Sequence, residues 1–169
     1  MFEWRKKVGE ERANQISRNA TTRGTKMHDL CEKYLLNEDL GELGNSSGEL
    51  LFKGIRPLLD NMDNIRCLES RMLSKTLGVA GTVDCIAEYD GNLAVIDFKT
   101  SRRVKKEEYI QDYYLQGCFY YTAYYEMTGE LPKQVSILIS VEDGSTQVFT
   151  LKGRDIIENT EKLKKRIRH

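Results

Sequence analysis

Net charge is missing from this sequence. Its 26 lysines and arginines are matched by 26 aspartates and glutamates over 169 residues, so the total points to neither nucleic acid nor a membrane surface, and local clustering has to decide. Long apolar runs are missing too. None approaches the length of a bilayer span, and the opening MFEWRKKVGEERANQ lacks the apolar centre of a secretory signal. The expectation is a soluble intracellular protein, cytoplasmic or in a host cytoplasm if the source is viral, without a membrane partner. Cysteine is sparse: Cys31, Cys67, Cys85 and Cys118 include no pair at C-x-x-C spacing. That argues against zinc or an iron–sulfur cluster, whose ligands normally come in tight local pairs, and favours reduced, mostly buried thiols. Internal repeats and low-complexity tracts are absent as well.

What is present falls into two halves. Residues 1–64 read as helical. EWRKKVGEERANQISRNA is charged and weakly amphipathic, whereas GTKMHDLCEKYLLNE sets Met27, Leu30, Cys31, Tyr34 and Leu35 at three- and four-residue spacing, which makes an apolar stripe. Thr22 or Thr25 is its expected N-cap. LGELGNSSGE is a Gly- and Ser-rich break, followed by a helix in GELLFKGIRPLLDNM that Pro57 bends or ends. From Arg66 the period changes. RCLESRMLSKTL, AGTVDCIAEY, NLAVIDFKT, KQVSILISVE and TQVFTLK are short β-branched runs punctuated by Gly, Asp and Asn, the pattern of strands. A helix over 108–128, closed by Gly129 and Pro132, lies between the third and fourth runs, and a basic helix over 153–169 ends the chain. A chain of this length fits one domain with one core. The predicted fold is α/β, a central mixed sheet over 66–151 flanked by helices, with an N-terminal helical part.

One hairpin concentrates the chemistry. Asp90-Gly91 between two alternating runs is a strong signal for a two-residue turn with positive φ at both central positions. Counting back pairs Tyr89 with Asn92, Glu88 with Leu93, Ala87 with Ala94, Ile86 with Val95, Cys85 with Ile96, and Asp84 with Asp97. Like charges opposed across two strands are destabilising, so the two carboxylates must be exposed, share a proton or hold a cation. Lys99, two residues beyond Asp97, points to the same face. Two carboxylates and an ammonium at the end of an apolar hairpin suit a hydrolytic magnesium site, because hard divalent ions prefer carboxylate oxygens, with Lys99 able to orient water or offset charge on the reacting phosphate. An exposed sheet end with a loose ion pair is the competing reading. The register matters, since a bulge before Asp84 would send the carboxylates to opposite faces.

GTVDCIAEYDGNLAVIDFKTS resembles the core of the PD-(D/E)xK nuclease superfamily, with Asp84 as the first acid and Asp97-Phe98-Lys99 as the D-x-K element. RGTKMH is similar to the Gly-x-x-x-His motif of its RecB-like exonuclease branch and QGCFY to the Gln-x-x-x-Tyr motif; with CLESRM ahead of the hairpin, the order and spacing are similar to those of the mitochondrial genome maintenance exonucleases and related phage nucleases. The match runs from Arg23 to Tyr125. The resemblance implies a restriction-endonuclease-like core and a Mg2+- or Mn2+-dependent exonuclease acting on single-stranded DNA ends. It implies His28, Asp84, Asp97 and the Phe98 carbonyl as metal ligands, Lys99 as the catalytic lysine, and Gln116 and Tyr120 as supports. Val83 stands where the superfamily's name has proline, and the cluster cysteines of some relatives are missing, so no iron–sulfur cluster is expected.

The remaining candidates each carry two readings. Arg23, with Lys26 a turn on, is placed at a helix start, as a phosphate contact or a solvated basic cap. Gln116 and Tyr120 share a helical face ringed by Tyr113, Tyr114, Tyr121, Tyr124 and Tyr125, most of them expected to pack on the sheet with hydroxyls in water and one or two to meet bases. Glu69 reaches the metal through water or pairs with Arg66 or Arg71. EKLKKRIRH tracks a phosphate backbone or forms a solvated helix face. Two rival functions stand beside the exonuclease: a structure-specific flap or junction endonuclease, and a non-catalytic DNA-binding recombination module.

Overall fold

The computed structural model describes residues 10–168, with side chains from residue 22. Helix α1 spans Glu10–Leu35 and α2 spans Ser47–Leu59. Strands β1 (Met62–Ser74), β2 (Val79–Tyr89) and β3 (Asn92–Ser101) follow. A 3-10 turn at Glu107–Tyr109 leads into α3 (Gln111–Thr128), then β4 (Gln134–Val141), β5 (Thr146–Lys152) and α4 (Arg154–Arg168). The sheet has the order β1-β2-β3-β4-β5. Only β3 and β4 run parallel, with α3 as the crossover between them, and the other neighbours are antiparallel. This is the mixed, helix-flanked α/β sheet that the periodicities predict.

Each face of the sheet is covered by one pair of helices. Met27, Leu30 and Cys31 of α1 and Leu51, Phe52, Ile55 and Leu59 of α2 bury against Cys85, Ala87, Ala94, Ile96 and Phe98. On the other face Tyr114, Cys118, Tyr120 and Ala123 of α3 and Ile156 of α4 bury against Ile86, Val95, Val135, Ile137 and Ile139. Both faces of β4 are covered, and every one of its residues is buried, as expected of a central parallel strand.

Three sequence expectations change. The helix expected to start at Thr22 or Thr25 is one continuous α1 from Glu10, so neither threonine is an N-cap; the residues before Glu10 lie outside the described ones. Arg23 therefore lies inside a helix, where its backbone N–H is not among the free donors of a first turn. The first strand starts at Met62 rather than Arg66, with a register shift between Asp63 and Cys67. Pro57 lies inside the last turn of α2, which ends two residues later, at Leu59. Its start is fixed by a reciprocal capping box between Ser46 and Glu49.

The crossover helix is docked closely. A Cβ on Gly117 would lie 2.3 Å from Val135 Cγ1, so only glycine lets α3 sit this near β4, and the neighbouring Gln116 takes its place from that contact. Alanine gains about 1 kcal/mol of helix propensity, but overpacking costs about 1–3 kcal/mol. Gly117→Ala is expected to lower unfolding stability in urea, and adding Val135→Ala to recover part of the loss.

Candidate active site

The tight turn forms as its sequence demands, with Asp90 at φ 51° and Gly91 at φ 84°, and the ladder runs from Tyr89–Asn92 to Cys85–Ile96 in the predicted register. There it stops. Cys85 faces the α1 side and Ile86 the α3 side, yet Val83 also packs on the α3 side, so alternation slips by one residue at Asp84. The facing residue on β1, Glu69, has φ 45°, and the two irregularities coincide. The expected Asp84–Asp97 pair is thus not a rung of the ladder. Asp84 instead turns its carboxylate across the gap, where Oδ2 accepts the Phe98 backbone N–H at 2.7 Å.

The two carboxyls nonetheless come close enough to influence each other's protonation. Of the possibilities open to an opposed pair, exposure is excluded for Asp97, which leaves a shared proton or a cation. Asp97 is 3 % exposed; burial, and then the neighbouring Asp84 against the opposing pull of Lys99, raises its carboxyl to about 8. Burial would raise Asp84 too, but hydrogen bonds from His28, Asp97 and the Phe98 N–H hold it below the usual carboxylate range.

His28 is aimed by its own helix. Nδ1 lies 2.7 Å from the Gly24 carbonyl one turn back, which leaves Nε2 facing Asp84 Oδ2 at 3.2 Å. Burial depresses the imidazole, but the hydrogen bond and charge of Asp84 outweigh it and raise it to about 9. Lys99 Nζ lies 3.0 Å from Asp97 Oδ2, donates to Gln116 Oε1 at 2.8 Å, and sits 4.8 Å from the centre of the Tyr113 ring. Gln116 passes its amide N–H on to the Tyr120 hydroxyl at 3.0 Å. Burial lowers Lys99, yet Asp97 raises it further, so it remains a cation.

Asp84, Asp97, Lys99, His28, Gln116, Tyr120 and the Phe98 backbone therefore come together. Arg23 stands apart, its guanidinium 3.3 Å from Glu142. Arg66 pairs with Glu130, not Glu69. Glu69 lines an open cleft of about 460 Å3 with Gly24, Thr25, His28, Asp29, Glu32 and Asp84, where burial and the charge of Asp84 raise it to about 7. Two of the tyrosine hydroxyls of α3 reach carboxylates, Tyr114 donating to Glu107 and Tyr124 to Glu130. In the basic tail, Arg166 pairs with Asp112 at the start of α3. Glu142 and the run Arg102–Tyr109 had no motif to mark them, although the cluster RRVKK directly after the D-x-K strand was a charge signal in plain view.

Among the described residues no three His, Cys, Asp or Glu side chains are grouped as ligands of a metal ion would be; His28, Asp84 and Asp97 are joined pairwise through Asp84. Their chemistry nonetheless fits a divalent cation. Burial favours the protonated form of Asp97, and Asp97 Oδ2 is buried without a directed hydrogen bond although Lys99 Nζ lies 3.0 Å away. Because the Asp97 carboxyl rises from 3.8 to about 8 on folding, the folded state holds a proton there that the unfolded chain has released, and stability falls as pH rises through that window. Asp97→Asn is expected to unfold at a temperature that gains on wild type between pH 4 and pH 8 in EDTA, as read by circular dichroism, and to lose the stabilisation that Mg2+ or Mn2+ gives wild type.

Comparison with known proteins places the chain among nucleases. The family model for the PD-(D/E)XK nuclease superfamily matches residues 49–167. Mitochondrial genome maintenance exonuclease 1 of Homo sapiens is 32 % identical over 102 residues, covering 58 % of this chain and 29 % of that protein. The Mus musculus protein is 33 % identical over 101 residues, 58 % of this chain and 29 % of its own length. The chain thus spans less than a third of the curated relatives it matches. A crystal structure from Eubacterium rectale, described as a candidate exonuclease, superposes with a TM-score of 0.54 at 15 % identity, covering 88 % of this chain and 65 % of that one, and bears on the fold alone. Since the family model covers more than half of the chain and the D-x-K strand lies within it, the chain belongs to the PD-(D/E)XK nuclease superfamily.

Proposed function

We propose that this nuclease is a divalent-cation-dependent deoxyribonuclease that digests single-stranded DNA from its ends, with residues 1–169 acting as one nuclease unit. The observation that carries the reading is the pair of acids Asp84 and Asp97, the second of them buried, with Lys99 Nζ fixed 3.0 Å from Asp97. A fold gains nothing from burying two opposed acids, whereas a cation site needs them. His28, Asp84, Asp97 and the Phe98 carbonyl are the residues that would hold Mg2+ or Mn2+, which supplies polarisation of the scissile phosphate and a lowered pKa for an attacking water.

The chain's own groups do the rest. Lys99 acts as a donor and a charge, orienting the water or neutralising the phosphate oxygen as charge develops there. Gln116 fixes where that ammonium points, and Tyr120 fixes Gln116. Asp97 and His28 give up their protons to receive the cation, so occupancy of the site should strengthen toward alkaline pH. The exonuclease names of the relatives support end-directed digestion of DNA over the flap or junction endonuclease.

Lys99→Ala is expected to abolish cleavage while binding single-stranded DNA as wild type does; equal loss of both would refute the assigned role. Gln116→Leu is expected to lower kcat on the order of 10²-fold, the scale of a misplaced catalytic group. With Mg2+ or Mn2+, labelled linear single strands should be degraded while closed single-stranded circles stay intact, as resolved on a denaturing gel; cut circles would establish an endonuclease.

A further inference from the structure

Charge around the site is split by side. Toward β1 the cleft is lined by Asp29, Glu32 and Glu69, a surface that repels phosphate. Beyond the carboxyl ends of the parallel strands β3 and β4 the signs reverse. Arg102, Arg103, Lys105 and Lys106 follow the D-x-K strand directly, and Arg23 of α1 comes to the same place. The crevice outside the carboxyl ends of parallel strands is where α/β sheets bind ligands.

Two guanidiniums converge there on one carboxylate. Arg23 Nη1 lies 3.3 Å from Glu142 Oε1, and Arg102 Nε lies 4.0 Å from Glu142 Oε2. Glu142 is held at the end of β4 by its backbone N–H, which donates to Ser101 O at 3.0 Å. Arg23 Nε is buried and has no hydrogen-bond partner among the described residues, while the Arg102 side chain is 77 % exposed. Two forked donors around one oxyanion, with donor capacity left over, form a phosphate-shaped arrangement in which Glu142 occupies the anion's position.

The segment that follows is fixed, yet it presents its side chains outward. Gln147 of β5 accepts the Lys105 backbone N–H and donates to the Lys105 carbonyl, both at 2.8 Å. Fully buried Ile110 and the Tyr114–Glu107 hydrogen bond of 2.9 Å anchor the 3-10 turn. Beside these anchors Val104 is 58 % and Tyr109 70 % exposed. Tyr113 ties this run to the reacting centre, with Lys99 Nζ 4.8 Å and Lys105 Nζ 5.7 Å from its ring centre. Glu107 and Glu108 temper the charge, and Glu107 spends its carboxylate on Tyr114.

We propose that Arg23, Arg102, Arg103 and Lys105 grip the phosphates of one DNA strand on the β4 side of the site, with Tyr109 stacking on an unpaired base and Glu142 holding the two arginines until phosphate displaces it. This rests on the nuclease reading for the identity of the ligand and adds the path by which the strand is held. A cationic track combined with an exposed aromatic is the pattern that recognises unpaired strands without reading their sequence.

The test is fluorescence anisotropy of labelled oligo(dT) on the full chain in EDTA, across a salt series, with the unfolding temperature of every variant measured alongside. Arg102→Ala/Arg103→Ala is expected to weaken binding and flatten the slope of log K against log salt by about 0.7 per lost contact. Tyr109→Ala is expected to weaken oligo(dT) roughly tenfold and leave duplex affinity unchanged. Glu142→Gln should tighten binding, since it frees two arginines; a merely structural glutamate would leave affinity unchanged or lower it. Lys133→Ala/Lys152→Ala, at the opposite end of β4 and β5, should change nothing. In turnover with Mg2+ or Mn2+, the loop variants should raise KM far more than they lower kcat. Wild-type affinity and slope in the double arginine variant, or no tightening with Glu142→Gln, overturns the proposal. Cleavage by wild type with unaltered binding by the loop variants sinks this path and leaves the nuclease reading intact; binding along the path without cleavage does the reverse.

Discussion

Asp84 is asked to satisfy more partners than a strand residue normally meets. Its carboxylate takes the Phe98 backbone N–H and the His28 imidazole and lies beside the Asp97 carboxyl, and these come from a neighbouring strand, a helix on one face and a second acid. The backbone ladder between β2 and β3 ends one residue earlier, so the side chain closes the gap that the ladder leaves. A buried N–H without a partner costs about 1–3 kcal/mol, and Asp84 removes that cost at Phe98 while drawing α1 onto the sheet through His28. The hairpin end, the seating of α1 and the electrostatics of the site are therefore linked through one group.

That linkage explains why helices from both faces contribute. His28 arrives from the α1 side, Gln116 from the α3 side, and the D-x-K strand lies between them with Phe98 turned to one core and Lys99 to the other. A strand alternates its side chains by geometry alone, so a D-x-K sequence supplies Asp97 and Lys99 to one face and a backbone and apolar anchor to the other. Lys99 is then confined by Asp97, Gln116 and Tyr113. A four-carbon stem held at its tip by an acid, an amide and a ring has lost the freedom that usually makes lysine an imprecise donor.

Much of this was legible in the sequence, and the reasons differ by element. Asp90-Gly91 announced the turn because few residues tolerate two successive positive φ values, and the register through Cys85–Ile96 followed by counting. Asp84–Asp97 escaped the counting, because the slip depends on Glu69 adopting a left-handed backbone on the next strand, which no local pattern encodes. The false start of a helix at Thr22 or Thr25 came from the opposite cause: capping signals are local, and α1 runs through them. Glu142 was invisible for a third reason, since its meaning lies in Arg102, brought to it by the parallel pairing of β3 with β4, and in Arg23, which arrives from α1.

The reciprocal amide clasp between Gln147 and the Lys105 backbone reaches further than its size suggests. It fastens the basic run to β5, the outermost strand, by two main-chain contacts that ignore what side chain residue 105 carries. Sequence along the run is therefore free to drift, exchanging one surface chemistry for another, while its trajectory stays put as long as a glutamine remains at 147. Substitutions along the run would change the surface beside the site while leaving the clasp and the site itself in place.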